Sequence, residues 1–251
     1  MVIRIIVGAL GAGKTAMTIK RLKDNFINRR VYTNIKSDLP FIVELTPEMF
    51  FKKGISKFTT NKTTGETKEK FDLAFNIEFW EKLNENIDLV IDEAHAFVNA
   101  RSFASKQNRI LLEFLALARK ICGEDSRGQA ELTFITHLPS RLDVVIRDMA
   151  NIIVFCVCFY QKSCLNCGYA WIENSEIPEQ KNKCDYCNGI DLSKSNFIIE
   201  VLEFAGIQKY ENWYISHDSR LIYKHYLIED IEEYFGHYKT TQWKNLFSKY
   251  Y

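Results

Sequence analysis

The stretch VIRIIVGALGAGKT, residues 2–15, decides the fold of this 251-residue chain. An apolar, β-branched run from 2 to 7 gives way at once to glycines, and KTAMTIKRLKDNFI from 14 to 27 then repeats its apolar positions at helical spacing. The order is strand, glycine turn, helix. GALGAGKT at 8–15 satisfies G-x-x-x-x-G-K-[ST] in that context, the pattern of a loop that cradles phosphates. Gly8, Gly11 and Gly13 permit positive φ angles and close backbone approach, so that with Ala9, Leu10 and Ala12 they present successive N–H groups to an anion. The starting helix adds its positive end. Lys14 is expected to reach the β and γ phosphates of ATP, and Thr15 to ligate Mg²⁺ through its hydroxyl. The bland alternative is a chance glycine turn, which the correct flanks disfavour.

Further strands follow outward from this loop. RVYTNI (30–35), IDLVI (87–91) and ELTFIT (131–136) are short apolar runs, and NIIVFCVCFYQKS (151–163) and FIIEVLEF (197–204) read as two late strands. KFTTNKTTGETKEKFD (57–72) alternates around NKTTG like a projecting hairpin. SKQNRILLEFLALARKIC (105–122) sets Ile110, Leu111, Phe114, Leu115 and Ala118 on one helical face, and LPSRLDVVIRDMA (138–150) reads as a helix with Pro139 in its first turn. KHYLIEDIEEYF (224–235) and TTQWKNLFSKYY (240–251) are expected as two amphipathic helices. Strands alternating with helices predict an α/β P-loop fold around a mostly parallel sheet covered on both faces. The expected divisions are a core over 1–160, a cysteine-rich insertion over 161–190, and a last strand with a helical region over 191–251.

Composition narrows the function classes. A chain with 47% hydrophobic residues can bury a full core. Lys+Arg 33 against Asp+Glu 32 leaves a net charge of +1, so any surface that attracts nucleic acid must be local. No signal-peptide pattern opens the chain, and NIIVFCVCFY is about half the roughly 20 residues of a membrane helix. These readings predict a cytoplasmic protein without a membrane span.

IDLVIDEAH ends a buried strand in Asp92 and Glu93, the form expected where carboxylates are delivered beside phosphates. Asp92 is expected to hold the Mg²⁺ shell and Glu93 to polarise an attacking water. Aiming a base at water suits an ATPase and is superfluous in a small-molecule kinase. The rival reading is an ordinary strand-end Asp-Glu that caps the next helix. Thr136 and His137 tip the third apolar strand, where one of them is positioned to sense the γ phosphate, although a lone histidine is commonly structural.

IDLVIDEAHAF, ALARKIC and FITHLPSRLDVVIRDMANIIVF together resemble the additional-strand ATPases of the FtsK and HerA superfamily. The similarity is to its small members, viral genome-packaging ATPases and the zonular-occludens-toxin-like assembly ATPases of filamentous phages. The specific part is ITHLPSRLD, in which His137 replaces the family's usual glutamine. The resemblance implies a sensor strand between the strands carrying Lys14 and Asp92. It also implies a homo-oligomeric ring, with a hexamer favoured, completed by an arginine from a neighbouring subunit. Arg119 is ranked first for that role, followed by Arg147, Arg141, Arg127 and Arg101, against the ordinary fate of a solvated surface charge.

Cys164, Cys167, Cys184 and Cys187 have the spacing C-x₂-C-x₁₆-C-x₂-C of a zinc ribbon. Four thiolates complete a tetrahedral Zn²⁺ site and leave no position for water, so the expected role is structural. Such a site contributes on the order of 10–16 kcal/mol of apparent binding free energy, enough to fold a segment too small for its own core. Tyr169, Trp171 and Tyr186 with Lys162, Lys181 and Lys183 suggest nucleic-acid contact, diluted by Glu173, Glu176 and Glu179; a capsid or replication protein is the equal alternative. Cys122, Cys156 and Cys158 read as small buried hydrophobes.

The expected activity is therefore Mg²⁺-dependent ATP hydrolysis by a motor on double-stranded DNA, in genome packaging or translocation for a virus or mobile element. Two rivals keep the site. An AAA+-type replication initiator or loader predicts a C-terminal helical lid, and a virion assembly or extrusion ATPase predicts a membrane anchor supplied by a partner.

Overall fold

A computed structural model describes residues 1–24, 30–60, 67–83, 86–96, 98, 106–121, 130–173 and 183–239. Chain order begins with β1 (Val2–Val7), α1 (Lys14–Asp24), β2 (Arg30–Thr33), β3 (Lys36–Ser37), β4 (Ile42–Glu44), α2 (Pro47–Phe50), β5 (Phe51–Thr60) and β6 (Thr67–Phe75). It continues through α3 (Ile77–Leu83), β7 (Ile87–Ile91), α4 (Lys106–Ile121), β8 (Ala130–Ile135), α5 (Val144–Met149) and β9 (Ile152–Ser163). It closes with β10 (Ala170–Glu173), β11 (Asn196–Phe204), α6 (Ile207–Ser216), β12 (Lys224–Ile228) and β13 (Tyr238–Lys239).

The main sheet has the order β12-β11-β9-β1-β8-β7-β2-β4, with β10 added to β9. From β9 to β4 every pairing is parallel, and β11, β12 and β10 join antiparallel. β8 lies between β1 and β7: Leu132 is in register with Ile3 on one side and Leu89 on the other. That order sets the tips of β1, β8 and β7 side by side, carrying respectively Gly8, Thr136 and Asp92.

Alternation along each strand builds two cores. Ile3, Ile5 and Val7 of β1 join Leu89, Leu132 and Phe134 in one cluster with α2, α3 and α4, while Ile6 joins Val90, Ile135 and Val154 under α1. Trp80 anchors the first cluster, its ring 4.7 Å from Phe114 and 5.2 Å from Phe50. Each such side chain stabilises the fold by roughly 1.5–3 kcal/mol through burial.

Several expectations differ in detail. The hairpin begins earlier than expected, at Phe51, and its NKTTG tip lies outside the described residues. LPSRLDVVIRDMA is not one helix: a 3-10 turn over Pro139–Arg141 is followed by α5, because the Asp143 carboxylate accepts from the Val145 N–H at 2.9 Å and starts a new helix. KHYLIEDIEEYF is not an amphipathic helix. Its first half is β12, paired antiparallel with β11, and Ile231–His237 forms 3-10 turns after Asp230 at φ 55°. Sheet pairing outweighed the weak local helical pattern there. Among the described residues the last α-helix is α6, entered at Gly206 (φ 85°) and closed by His217 in the left-handed region. TTQWKNLFSKYY lies outside the described residues, as do Arg101, Arg127, Cys122, Lys181, Glu176 and Glu179. Among the described residues no helix is long and apolar enough to cross a membrane.

Candidate nucleotide-binding site

The glycine loop has the geometry its sequence demands. Gly11 and Gly13 have φ of 78° and 75°, a region costly for any residue with a Cβ. A Cβ on Gly13 would also lie 2.3 Å from Ile199 Cδ1 and 3.2 Å from Phe197 Cε1, so the loop is packed directly on β11. Lys14 opens α1 with 7% of its surface exposed, and its ammonium donates to the carbonyls of Gly8 (2.9 Å) and Ala9 (2.7 Å). Burial lowers its pKa, opposed by the charges around it, Glu93 and Asp92 among them.

Thr15 and Asp92 meet across the strand order: the Thr15 hydroxyl donates to Asp92 Oδ2 at 3.0 Å. Burial raises the Asp92 pKa, opposed by that hydroxyl and by the Glu93 N–H, which donates to Oδ1 at 2.9 Å. Two oxygen donors so disposed suit a hard divalent cation such as Mg²⁺. Sequence reading passed over Asn34, whose carboxamide grips the Asp92 backbone from both sides. Asp92 N donates to Asn34 Oδ1 at 2.7 Å, and Asn34 Nδ2 donates to the Asp92 carbonyl at 2.8 Å. The available signal was an Asn just past the end of the strand that neighbours the acidic one.

Glu93 leaves β7 in the left-handed region at φ 50°, a sparsely populated conformation that turns it toward β8. Its carboxylate lies 3.4 Å from His137 Nε2 and 3.4 Å from His95 Nδ1. Burial lowers the pKa of His95. His137 also stands 3.5 Å from the Lys14 ammonium through Nδ1, so Glu93, His137 and Lys14 form one chain of contacts. Thr136, by contrast, is fully buried, with its hydroxyl 3.4 Å from His95 Nδ1. Of the two sensor candidates, His137 alone lines the cleft.

The cleft encloses about 730 Å³, a size that suits a nucleotide. Lys14, Thr15, Asn34, Asp92, Glu93 and His137 line it together with Tyr160, Phe197, Phe235, Tyr238 and Lys239. Among the described residues no arginine lines the cleft. Arg141 is exposed in its 3-10 turn, Arg147 lies half-buried on α5, and Arg119 is on α4 with its side chain outside what is described.

Between β9 and β11 the four cysteines converge, with all four Sγ atoms within 4.8 Å of one another. Cys164 and Cys187 are 3.5 Å apart and Cys167 and Cys184 are 3.7 Å apart. Tetrahedral zinc with bonds of about 2.3 Å requires ligand separations of about 3.8 Å, so the donor set fits that ion. Each pair sits in a knuckle: Gly168 N–H donates to the Cys164 carbonyl, and Gly189 N–H points at Cys187 Sγ. Cys156 is fully buried beneath the loop and burial pushes its thiol up to about 12, in keeping with a small hydrophobe; Cys158 is partly exposed.

The family model described as zonular occludens toxin (Zot) matches residues 2–157. No curated protein sequence matches the chain. Among solved structures the chain is similar to the N-terminal domain of zonular occludens toxin from Neisseria meningitidis, at 16% identity over 95% of this chain and 98% of that one, with a TM-score of 0.48. It is also similar to the genome packaging NTPase B204 of Sulfolobus turreted icosahedral virus 2 in complex with ATP-gammaS. There the identity is 15% over 61% of this chain and 74% of that one, with a TM-score of 0.33.

Proposed function

The chain belongs to the zonular occludens toxin (Zot) family, and on that premise we propose that it is an ATP-binding and ATP-hydrolysing P-loop motor acting on double-stranded DNA, in genome packaging or translocation. The observation that supports this reading is the convergence of Lys14, Thr15, Asp92 and Glu93 in one cleft from the tips of β1 and β7.

The loop N–H groups and Lys14 bind the triphosphate and stabilise negative charge as it develops on the leaving oxygens. Mg²⁺ held by Thr15 and Asp92 would neutralise phosphate charge. Asn34 keeps Asp92 oriented. Glu93 accepts a proton from the attacking water, and His137, in contact with both Glu93 and Lys14, senses the γ phosphate. Subunits arranged in a ring would complete the site with an arginine, Arg119 or else Arg147, Arg141, Arg127 or Arg101. The cysteine knob takes a structural Zn²⁺ and offers its outer face to DNA or to a capsid or replication protein.

An ATPase of virion assembly or extrusion is the second reading, favoured by the resemblance to phage assembly ATPases and using the same residues. The AAA+-type reading is weaker: the described residues after β11 form α6, β12 and 3-10 turns rather than a helical lid.

ATPase rates for wild type, Lys14→Ala and Glu93→Gln, measured with and without double-stranded DNA while oligomeric state is recorded, test the proposal. Both variants should lose hydrolysis, and DNA should stimulate the wild type. A strict monomer without DNA stimulation at low and moderate salt would overturn the DNA motor; hydrolysis surviving in Lys14→Ala would overturn the site.

A further inference from the structure

Part of the cleft lining, where β11 packs against the glycine loop, is built from aromatic rings. Phe197 of β11 is 5% exposed, and two more exposed rings brace on it edge-to-face: Tyr160 (37% exposed) with centroids 5.2 Å apart, and Phe235 (43% exposed) at 5.5 Å. This recess abuts the phosphate cradle, since Phe197 and Ile199 stand against Gly13 where a side chain would otherwise project.

Phe235 comes from the strap Ile231–Lys239, which follows β12 and packs on α1. Its 3-10 turns repeat every three residues and so sort its side chains. Ile231 and Tyr234 are buried in the core under α1, with Lys20 and Lys23 ammonium groups 5.2 and 5.0 Å from the Tyr234 ring centroid. Phe235 and Tyr238, on the same three-residue spacing, line the cleft. β13 then pairs with β3, and His237 and Asp38 join across that contact at 3.1 Å. The strap is thus anchored on one side and exposes flat apolar surface on the other.

Tyr160, Phe197 and Phe235 offer one polar side-chain atom between them, the Tyr160 hydroxyl. Flat rings with so few groups to read a base edge favour stacking over hydrogen-bond recognition.

We propose that Tyr160, Phe197 and Phe235 form the nucleobase subsite of this cleft, that it stacks a purine with little reading of its edge, and that the C-terminal strap thereby sets nucleotide affinity and specificity. The proposal rests on the reading of the glycine loop as a triphosphate site. It assigns the strap a ligand contact that none of the sequence motifs supplies.

Equilibrium binding of ATP, GTP, CTP and inorganic tripolyphosphate, each with Mg²⁺, to the full chain and to Phe235→Ala and Phe235→Trp tests it. Loss of one base-aromatic stack costs about tenfold in affinity. Wild type should bind ATP at least about tenfold more tightly than tripolyphosphate, hold GTP within about tenfold of ATP, and bind CTP more weakly. Phe235→Ala should lose most of the ATP advantage and leave tripolyphosphate unchanged, and Phe235→Trp should keep it. Equal wild-type affinity for ATP and tripolyphosphate would overturn the base subsite while leaving the triphosphate site standing. Parallel weakening of both ligands in Phe235→Ala would make the strap a structural support only, and overturn the proposal. Failure of wild type to bind either ligand would overturn the triphosphate site, and this inference with it.

Discussion

Asn34→Ala should damage the site without touching a phosphate-contacting residue. The Asn34 carboxamide accepts from Asp92 N at 2.7 Å and donates to Asp92 O at 2.8 Å, and Asn34 itself is 7% exposed. Alanine removes both partners, and a buried backbone group left unsatisfied costs about 1–3 kcal/mol. Solvent can reach part of a cleft edge, so the expected destabilisation is roughly 2–4 kcal/mol for the two groups together. A displacement of Asp92 would also weaken its contact with Thr15, which predicts a fall in kcat on the order of tenfold or more, as a misplacement of about 1 Å can cost 10²-fold. Denaturant unfolding measures the first quantity and Mg²⁺-ATP turnover the second. Asn34→Asp sharpens the assay, because its carboxylate can still accept from Asp92 N but cannot donate to Asp92 O. It should fall between wild type and alanine in stability at neutral pH, with part of the gain offset by repulsion from the Asp92 carboxylate. An alanine variant within about 0.5 kcal/mol of wild type and with unchanged turnover would refute the clamp.

Three further outcomes follow from the same geometry. Gly13→Ala should abolish nucleotide binding, since φ of 75° and a 2.3 Å approach to Ile199 Cδ1 both oppose a Cβ; trimming the neighbour in Gly13→Ala/Ile199→Ala removes the clash but not the φ strain, and should recover only part of the binding, measured by calorimetry. Glu131 is held by Arg4 on β1 and Arg21 on α1. Burial alone would raise its pKa, yet Arg21 and Arg4 outweigh it and hold the carboxyl below its ordinary value of 4.5. Burial and Arg4 pull Arg21 down without discharging a guanidinium. A depressed carboxylate stabilises the fold above pH 4.5 and loses that contribution as pH falls through the folded-state value, so Glu131→Gln should cost about 3 kcal/mol at pH 7 and progressively less below pH 4.5 in urea titrations. For the cysteine knob, elemental analysis should give one zinc per chain. Cys184→Ser should raise proteolytic cleavage within 161–190 while ATP binding persists.

The chemistry-bearing motifs were legible because each is local. GALGAGKT needs its glycines within one turn, IDLVIDE its carboxylates at one strand tip, and the CxxC pairs their knuckles, so spacing alone predicts a phosphate loop, an acidic strand end and four convergent thiols. Strand order needed more. The insertion of β8 between β1 and β7 followed from resemblance rather than from any residue, since parallel pairing joins segments far apart in the chain.

What only the tertiary structure decided is which side chains share the cleft with those motifs. Asn34 reaches Asp92 across 58 positions, and its place just past a strand end becomes informative only once that strand is known to lie beside the acidic one. KHYLIEDIEEYF has weak helical periodicity, but pairing of β12 with β11 and burial of Ile231 and Tyr234 against α1 impose strand and 3-10 turns. Thr136 and His137 are adjacent in sequence, yet one is buried and the other faces Glu93 and Lys14. Local propensity fixes what a loop or a knuckle can do; long-range packing fixes what it does it beside, because burial free energy over many residues exceeds the fraction of a kcal/mol per residue by which propensity distinguishes conformations.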